Sequence, residues 1–166
     1  MKLELKNVKF YESMSEETNC FQADLFINGK KIAYVKNTGQ GGCTDYGCYD
    51  LKTQDFLREV EVYFKLMPMR RSEEFDFEYQ PTLENEIDDL FEAWLKVKED
   101  KKFLKQMEKG IMYGTKYSYK MIYWKGTTLT AMLQNPNGKL RVKQIVKDLK
   151  GKGETILNTN IPAELL

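Results

Sequence analysis

The stretch that decides the fold is Phe21-Gln22-Ala23-Asp24-Leu25-Phe26-Ile27-Asn28-Gly29-Lys30-Lys31-Ile32-Ala33-Tyr34-Val35-Lys36-Asn37. Two runs rich in apolar and β-branched residues flank Asn28-Gly29, the dipeptide that accepts positive φ at both centres of a type I′ turn. A two-residue turn fixes the register of a hairpin. It sets Ile27 against Lys30, Leu25 against Ile32, Ala23 against Tyr34 and Phe21 against Lys36. Phe21, Ala23, Leu25, Ile27, Ile32 and Tyr34 then form the core face, and Cys20 falls on the opposite one.

Upstream, residues 2–11 alternate, but Leu3 and Leu5 share one parity and Val8 and Phe10 the other. The parity change predicts a bulge near Asn7. Residues 13–19 read as a polar turn. Downstream comes Gly39-Gln40-Gly41-Gly42-Cys43-Thr44-Asp45-Tyr46-Gly47-Cys48-Tyr49, with four of the eleven glycines and two of the three cysteines. Phe56, Val60, Tyr63, Phe64 and Met67 keep helical spacing up to Pro68, with Asp50 or Thr53 as cap. Phe75 and Phe77 alternate as a short strand. Thr82 caps a second helix with Leu83, Ile87, Leu90, Phe91 and Trp94 on one stripe. Extended further, that stripe meets Lys98 and Lys101, which predicts a kink or a second short helix carrying Phe103, Leu104 and Met107 and ending at Gly110. Residues 115–124 read as a strand, with its tyrosines packed against a helix. A helix around 128–133 ends at Asn135-Pro136-Asn137-Gly138. Val142, Ile145, Val146 and Leu149 mark a last helix, and Ile156-Leu157 a last strand. The expectation is an α+β fold in one domain over residues 1–166: an antiparallel sheet of four or five strands, covered on one face by helices 53–67 and 82–97.

Composition bounds the chemistry. The 166 residues carry 26 Lys and Arg against 25 Asp and Glu, and no histidine. Histidine-based nucleophile activation and the usual neutral-pH general base are therefore closed. The absence of histidine points to a binding protein rather than an enzyme, and the near-even charge balance argues against bulk electrostatic binding to nucleic acid. The charged, alternating start is unlike a signal peptide, no apolar run approaches a bilayer span, and three cysteines fit reduced thiols. A cytoplasmic protein with no membrane partner, no cofactor and no metal is expected. Cys43 and Cys48 have four residues between them, too few ligands for zinc without carboxylates.

Three features are candidates for function. The first is an acidic region, Glu73, Glu74, Asp76, Glu84, Asp88, Asp89 and Glu92, which also includes Glu78 and Glu86 and has no Lys or Arg from 72 to 95. Spaced carboxylates of this kind can meet the Arg and Lys of a partner protein. The second is the loop surface of Gly39, Gln40, Gly41, Gly42, Thr44, Asp45 and Tyr46. Its backbone suits a contact, or an anion nest for a nucleotide served by Lys30, Lys31 or Lys36. It matches neither nucleotide-binding glycine motif. The third is a basic patch, Lys139, Arg141, Lys143, Lys147 and Lys150, which with the tyrosine strand would suit nucleic acid.

The string Phe21-x-Ala23-x-Leu25-x-x-Asn28-Gly29-Lys30-Lys31-Ile32-Ala33, followed by Asn37-x-Gly39-x-Gly41-Gly42, resembles a pattern in small uncharacterised proteins of bacteria, phages and mobile elements. The resemblance covers about the first third of the chain and transfers no catalytic residue. It implies a compact accessory protein that blocks a host factor, such as a defence complex.

Overall fold

The computed structural model describes residues 1–72 and 76–166. The fold is α+β, and its contacts gather into two compact units, Met1–Leu95 and Lys96–Leu166. In unit 1, strands β1 (Leu3–Phe10), β2 (Phe21–Ile27), β3 (Lys30–Asn37) and β4 (Asp45–Cys48) form an antiparallel sheet in sequence order. β1 carries the expected irregularity: its register shifts between Lys6 and Lys9, and Asn7 sits at φ 54°.

The hairpin turn is where the sequence puts it, but its register is not. Ile27 pairs with Lys30 and Phe26 with Lys31. Leu25 then pairs with Ala33, Ala23 with Val35 and Phe21 with Asn37. Ile32 is the extra residue of a bulge, which shifts every later side chain of β3 to the other face. Ile32 and Ala33 are both buried, Val35 is buried, Tyr34 is exposed, and Asn37 turns inward. Cys20 is buried as well, so it does not share the solvent face with Gln22. The residues after Thr44, expected as loop, pair with β3 as the edge strand β4.

One face of this sheet is the core of unit 1. α1 (Leu51–Lys65) lays Leu57, Val60 and Phe64 on it, with Asp50 accepting from the Thr53 amide at 2.9 Å as N-cap. Tyr63, expected in the stripe, is exposed, and Leu57 takes its place. Arg70–Arg71 (β5) and Glu78–Tyr79 (β6) pair as a short ribbon; Phe77 lies outside it, and Phe75 lies outside the described residues. α2 (Leu83–Lys109) opens on a reciprocal cap. Thr82 and Asn85 each donate a backbone N–H to the other's side chain, both at 3.1 Å. Leu83, Ile87 and Phe91 are buried against the sheet, and Phe91 stacks on Phe21 at 3.8 Å. Burying one such side chain contributes about 1.5–3 kcal/mol.

α2 runs unbroken from unit 1 into unit 2, where a kink was expected. Its apolar stripe lapses between Leu95 and Phe103, where residues 96–99 face water. Lys and Glu keep a helix there without packing.

In unit 2, β7 (Gly110–Gly114) and β8 (Tyr119–Tyr123) form a hairpin. β7 has no counterpart in the sequence reading, and the turn 115–118 replaces the first part of the expected strand. Ile156 bridges to Tyr113 on the other side of β7. α3 (Leu129–Gln134) is capped by Thr128. α4 (Pro136–Gly151) is capped by Asn135, so the Asn-Pro that ends one helix also starts the next. Ile111, Leu129, Val142, Val146 and Leu149 make the core of this unit. Among the described residues no helix is long and apolar enough to cross a membrane.

Candidate functional site

The bulge at Ile32 creates the site, because it turns Asn37 into the protein. Asn37 Oδ1 accepts from the Gly39 amide at 2.9 Å and from the Thr18 hydroxyl at 2.9 Å. Its Nδ2 donates to the Gly42 carbonyl at 3.2 Å and to Thr44 Oγ1 at 3.1 Å. The first of these is an Asx turn, available to any Asn-x-Gly. Gly39 (φ 85°) and Gly41 (φ 80°) take the left-handed conformation that the turn needs.

The loop then closes onto α2. The Thr44 amide donates to Glu84 Oε1 at 2.9 Å, and the Thr44 hydroxyl donates to Asp88 Oδ1 at 2.6 Å. Two features that stand 40 and 44 residues apart in sequence therefore form one wall. A cleft of about 300 Å³ lies between them, lined by Glu17, Gly42, Cys43, Glu84, Asp88 and Glu92 among others. Among the described residues four carboxylates face it, and no Lys or Arg does. Burial raises the Asp88 carboxyl above its ordinary range, and Glu84, Glu92 and Asp89 add to the rise. The charge of Glu84, with its hydrogen bond, raises the exposed Cys43 thiol, so Cys43 is held protonated rather than poised as a nucleophile.

An anion would meet the opposite of a nest here. The amides of Gly39, Gly41 and Thr44 already donate to Asn37, Thr18 and Glu84. The convergent amides nearby are those of Glu16, Glu17 and Thr18, and all three donate to the Gly39 carbonyl oxygen at 2.9–3.3 Å. Lys31 pairs with Asp24 at 3.1 Å and Lys36 with Asp45 at 3.7 Å, and neither lines the cleft.

The other expected residues are dispersed. Asp76 pairs with Arg71, and Glu86 with Arg70, both away from the cleft. Asp89 is exposed on α2 and does not line it; Glu73 and Glu74 lie outside the described residues. Gln40 is exposed at the loop tip. Tyr46 points to α1, where its hydroxyl donates to Glu61 at 3.1 Å, and burial pushes its pKa to about 12. It lines a wider cleft of about 540 Å³ along β4 and α1, with Tyr49, Leu51, Arg58 and Glu61. Lys139, Arg141, Lys143, Lys147 and Lys150 are all exposed on α4 in unit 2. Sequence reasoning missed Asn37, Glu17 and Thr18. Only the Asn-x-Gly turn could have signalled the first.

Among the described residues no group of three His, Cys, Asp or Glu side chains is arranged to hold a metal ion. Compared with protein-family models, with curated proteins and with solved structures, the chain matches none.

Proposed function

We propose that this is a non-enzymatic macromolecule-binding protein whose acidic cleft receives a lysine or arginine side chain of a partner protein. The observation that supports it is the lining: Glu17, Glu84, Asp88 and Glu92 with no basic residue among them. A cleft of one sign focuses its field and favours an incoming cation. Glu84 and Asp88 are engaged with Thr44, so Glu17 and Glu92, which are exposed, carry the contact. Three free cysteines fit work in a reducing compartment, the cytoplasm. On the resemblance of the hairpin and loop, the partner is a host complex that binding blocks. A nucleotide-binding role for the glycine loop is the weaker reading, since the amides of Gly39, Gly41 and Thr44 are engaged and the loop's neighbours are carboxylates.

The test is quantitative capture of host proteins on the tagged chain, compared with a Glu17→Lys/Glu92→Lys variant of equal thermal stability. The expected result is a specific protein partner that the variant loses by at least tenfold and that raised salt also weakens. Equal recovery by both chains would overturn the cleft as the contact.

A further inference from the structure

The chain is almost neutral overall, yet its charge divides along the boundary between the units. Unit 1 holds 11 Lys and Arg against 19 Asp and Glu, a net −8. Unit 2 holds 15 against 6, a net +9 within 71 residues. That density is the electrostatic footprint of a polyanion binder, and the whole-chain balance hides it.

The lysines of unit 2 are arranged in rows. On α2, Lys98, Lys102, Lys105 and Lys109 recur every three to four residues, so they share one flank of the helix. On α4, Lys139, Lys143, Lys147 and Lys150 do the same, while Arg141 falls on the far side. Each row spans roughly 16 Å at 1.5 Å per residue.

Beside the α2 row stand open aromatic rings. The Phe103 ring meets Tyr119 edge-on at 5.5 Å, and the Tyr119 hydroxyl donates to Gln106 at 2.6 Å. Lys116 reaches Asp100 at 3.4 Å. These contacts lay the tip of the β7–β8 hairpin along the helix. Tyr117 is 95% exposed and Tyr123 69%. Tyr117 and Tyr123, so placed, add nothing to the core, whereas Tyr119 packs against α2 as the sequence reading expected. Exposed aromatic rings are stacking surfaces for unpaired bases, and duplex DNA offers none. An anionic membrane would also attract the lysines. The apolar face of α4 is already buried, however, with Val142 and Val146 at most 1% exposed, which leaves that helix little beyond Leu140 to insert.

We propose that unit 2 binds single-stranded nucleic acid, with phosphates on the lysine row of α2 and bases stacked on Tyr117, Tyr119 and Tyr123. The site is separate from the acidic cleft, and its test does not depend on that reading.

Fluorescence anisotropy of the full chain tests it, using labelled 15-nucleotide oligo(dT) and oligo(U), a 15-base-pair duplex, and phosphatidylserine vesicles. Single strands are expected to bind more tightly than the duplex or the vesicles. Affinity should fall at least tenfold between 50 and 200 mM salt, as a few phosphate contacts require. Tyr117→Ala/Tyr123→Ala, at exposed positions where folding is untouched, should weaken single-strand binding about tenfold and leave the salt slope alone. Lys102→Gln/Lys105→Gln/Lys109→Gln should flatten the slope by about 2. No binding at 50 mM salt, a preference for duplex or vesicles, or affinity indifferent to the tyrosine pair would each overturn the proposal.

Discussion

Each unit is fastened by one buried asparagine, and the two make nearly the same set of bonds. Asn37 accepts from an amide and a hydroxyl, and donates to a carbonyl and a hydroxyl, in unit 1. Asn158 in unit 2 accepts from the Met112 amide at 2.6 Å. It donates to the carbonyls of Met107 and Gly110 and to Asn160. What differs is the thing held. Asn37 shapes a loop that ends among carboxylates, whereas Asn158 pins a strand and leaves the lysines and tyrosines of its unit in water. The comparison teaches that a core polar residue can organise a surface without belonging to it. Both side chains are over nine-tenths buried and satisfied, the condition under which a buried amide is tolerated.

The largest effects should come from the glycine beside each asparagine. A Cβ on Gly39 would overlap the Met14 carbonyl oxygen, and one on Gly110 would overlap the Ile122 carbonyl oxygen. Backbone is the obstacle in both cases, so neither clash can relax cheaply. Gly39 also holds φ 85°. Gly39→Ala should cost about 3–5 kcal/mol, from strain plus overpacking, and Gly110→Ala somewhat less. Gly42→Ala, with nothing within 4 Å, should stay within about 0.5 kcal/mol. Urea denaturation of the three variants checks this. If Gly42→Ala were as damaging as Gly39→Ala, the loop would not be shaped by its contact with residues 14–20.

Next come the asparagines themselves. Asn37→Ala leaves the Gly39 amide and the Thr18 and Thr44 hydroxyls short of a partner. Asn158→Ala orphans the Met112 amide and takes a donor from the Gly110 carbonyl, while the Met107 carbonyl keeps Asn160. Each should cost about 2–3 kcal/mol. Hydrogen exchange should localise the damage: faster exchange at 39–44 and 16–18 for the first, and at 110–112 for the second. Protection lost uniformly over the chain in both variants would break the comparison, because the asparagines would then be fastening the whole rather than their own unit.

The sequence disclosed some of this and concealed the rest for definite reasons. Asn28-Gly29 announced its turn because only a few residues tolerate positive φ. The β3 register was hidden because Ile32-Ala33-Tyr34-Val35 is an unbroken apolar run. Either parity buries two of its four residues, so alternation does not choose between Tyr34 and Val35. β7 was missed because Gly110 reads equally well as a helix stop and as a strand residue under a close backbone approach. The acidic residues were legible as a patch, but not as a latch. The bonds from Thr44 to Glu84 and Asp88 exist only once the sheet and α2 have packed. The lysine rows were partly legible on α4. Their weight emerged only with the unit boundary, which separates a net −8 from a net +9.

The smallest effect belongs to the latch and separates its two roles, hydrogen bond and charge. Burial raises the Asp88 carboxyl, with Glu84, Glu92 and Asp89 pressing in the same direction and the Thr44 hydroxyl opposing them. Between the ordinary aspartate value of 3.8 and that raised value, the folded chain holds a proton that the unfolded chain has released. Stability from this group therefore increases as pH falls through the window and declines as pH rises out of it. Asp24 runs the other way: the hydrogen bond from Tyr49 lowers its pKa, and its contribution is lost in acid. Asp88→Asn isolates the first term, since the amide oxygen still accepts from Thr44 while the charge is gone. At pH 7 the variant should be as stable as the parent or more so, by less than about 1 kcal/mol. Its advantage should shrink as the pH falls into that window, where the parent takes up the proton at this position. Thermal melts of both proteins from pH 4 to pH 8 measure the difference directly. A variant less stable than the parent at neutral pH would mean that the carboxylate charge, and not only its oxygen, holds the loop to α2. Glu84 and Asp88 would then be fully engaged within unit 1, leaving Glu17 and Glu92, among the described residues, as the carboxylates of the cleft open to a partner.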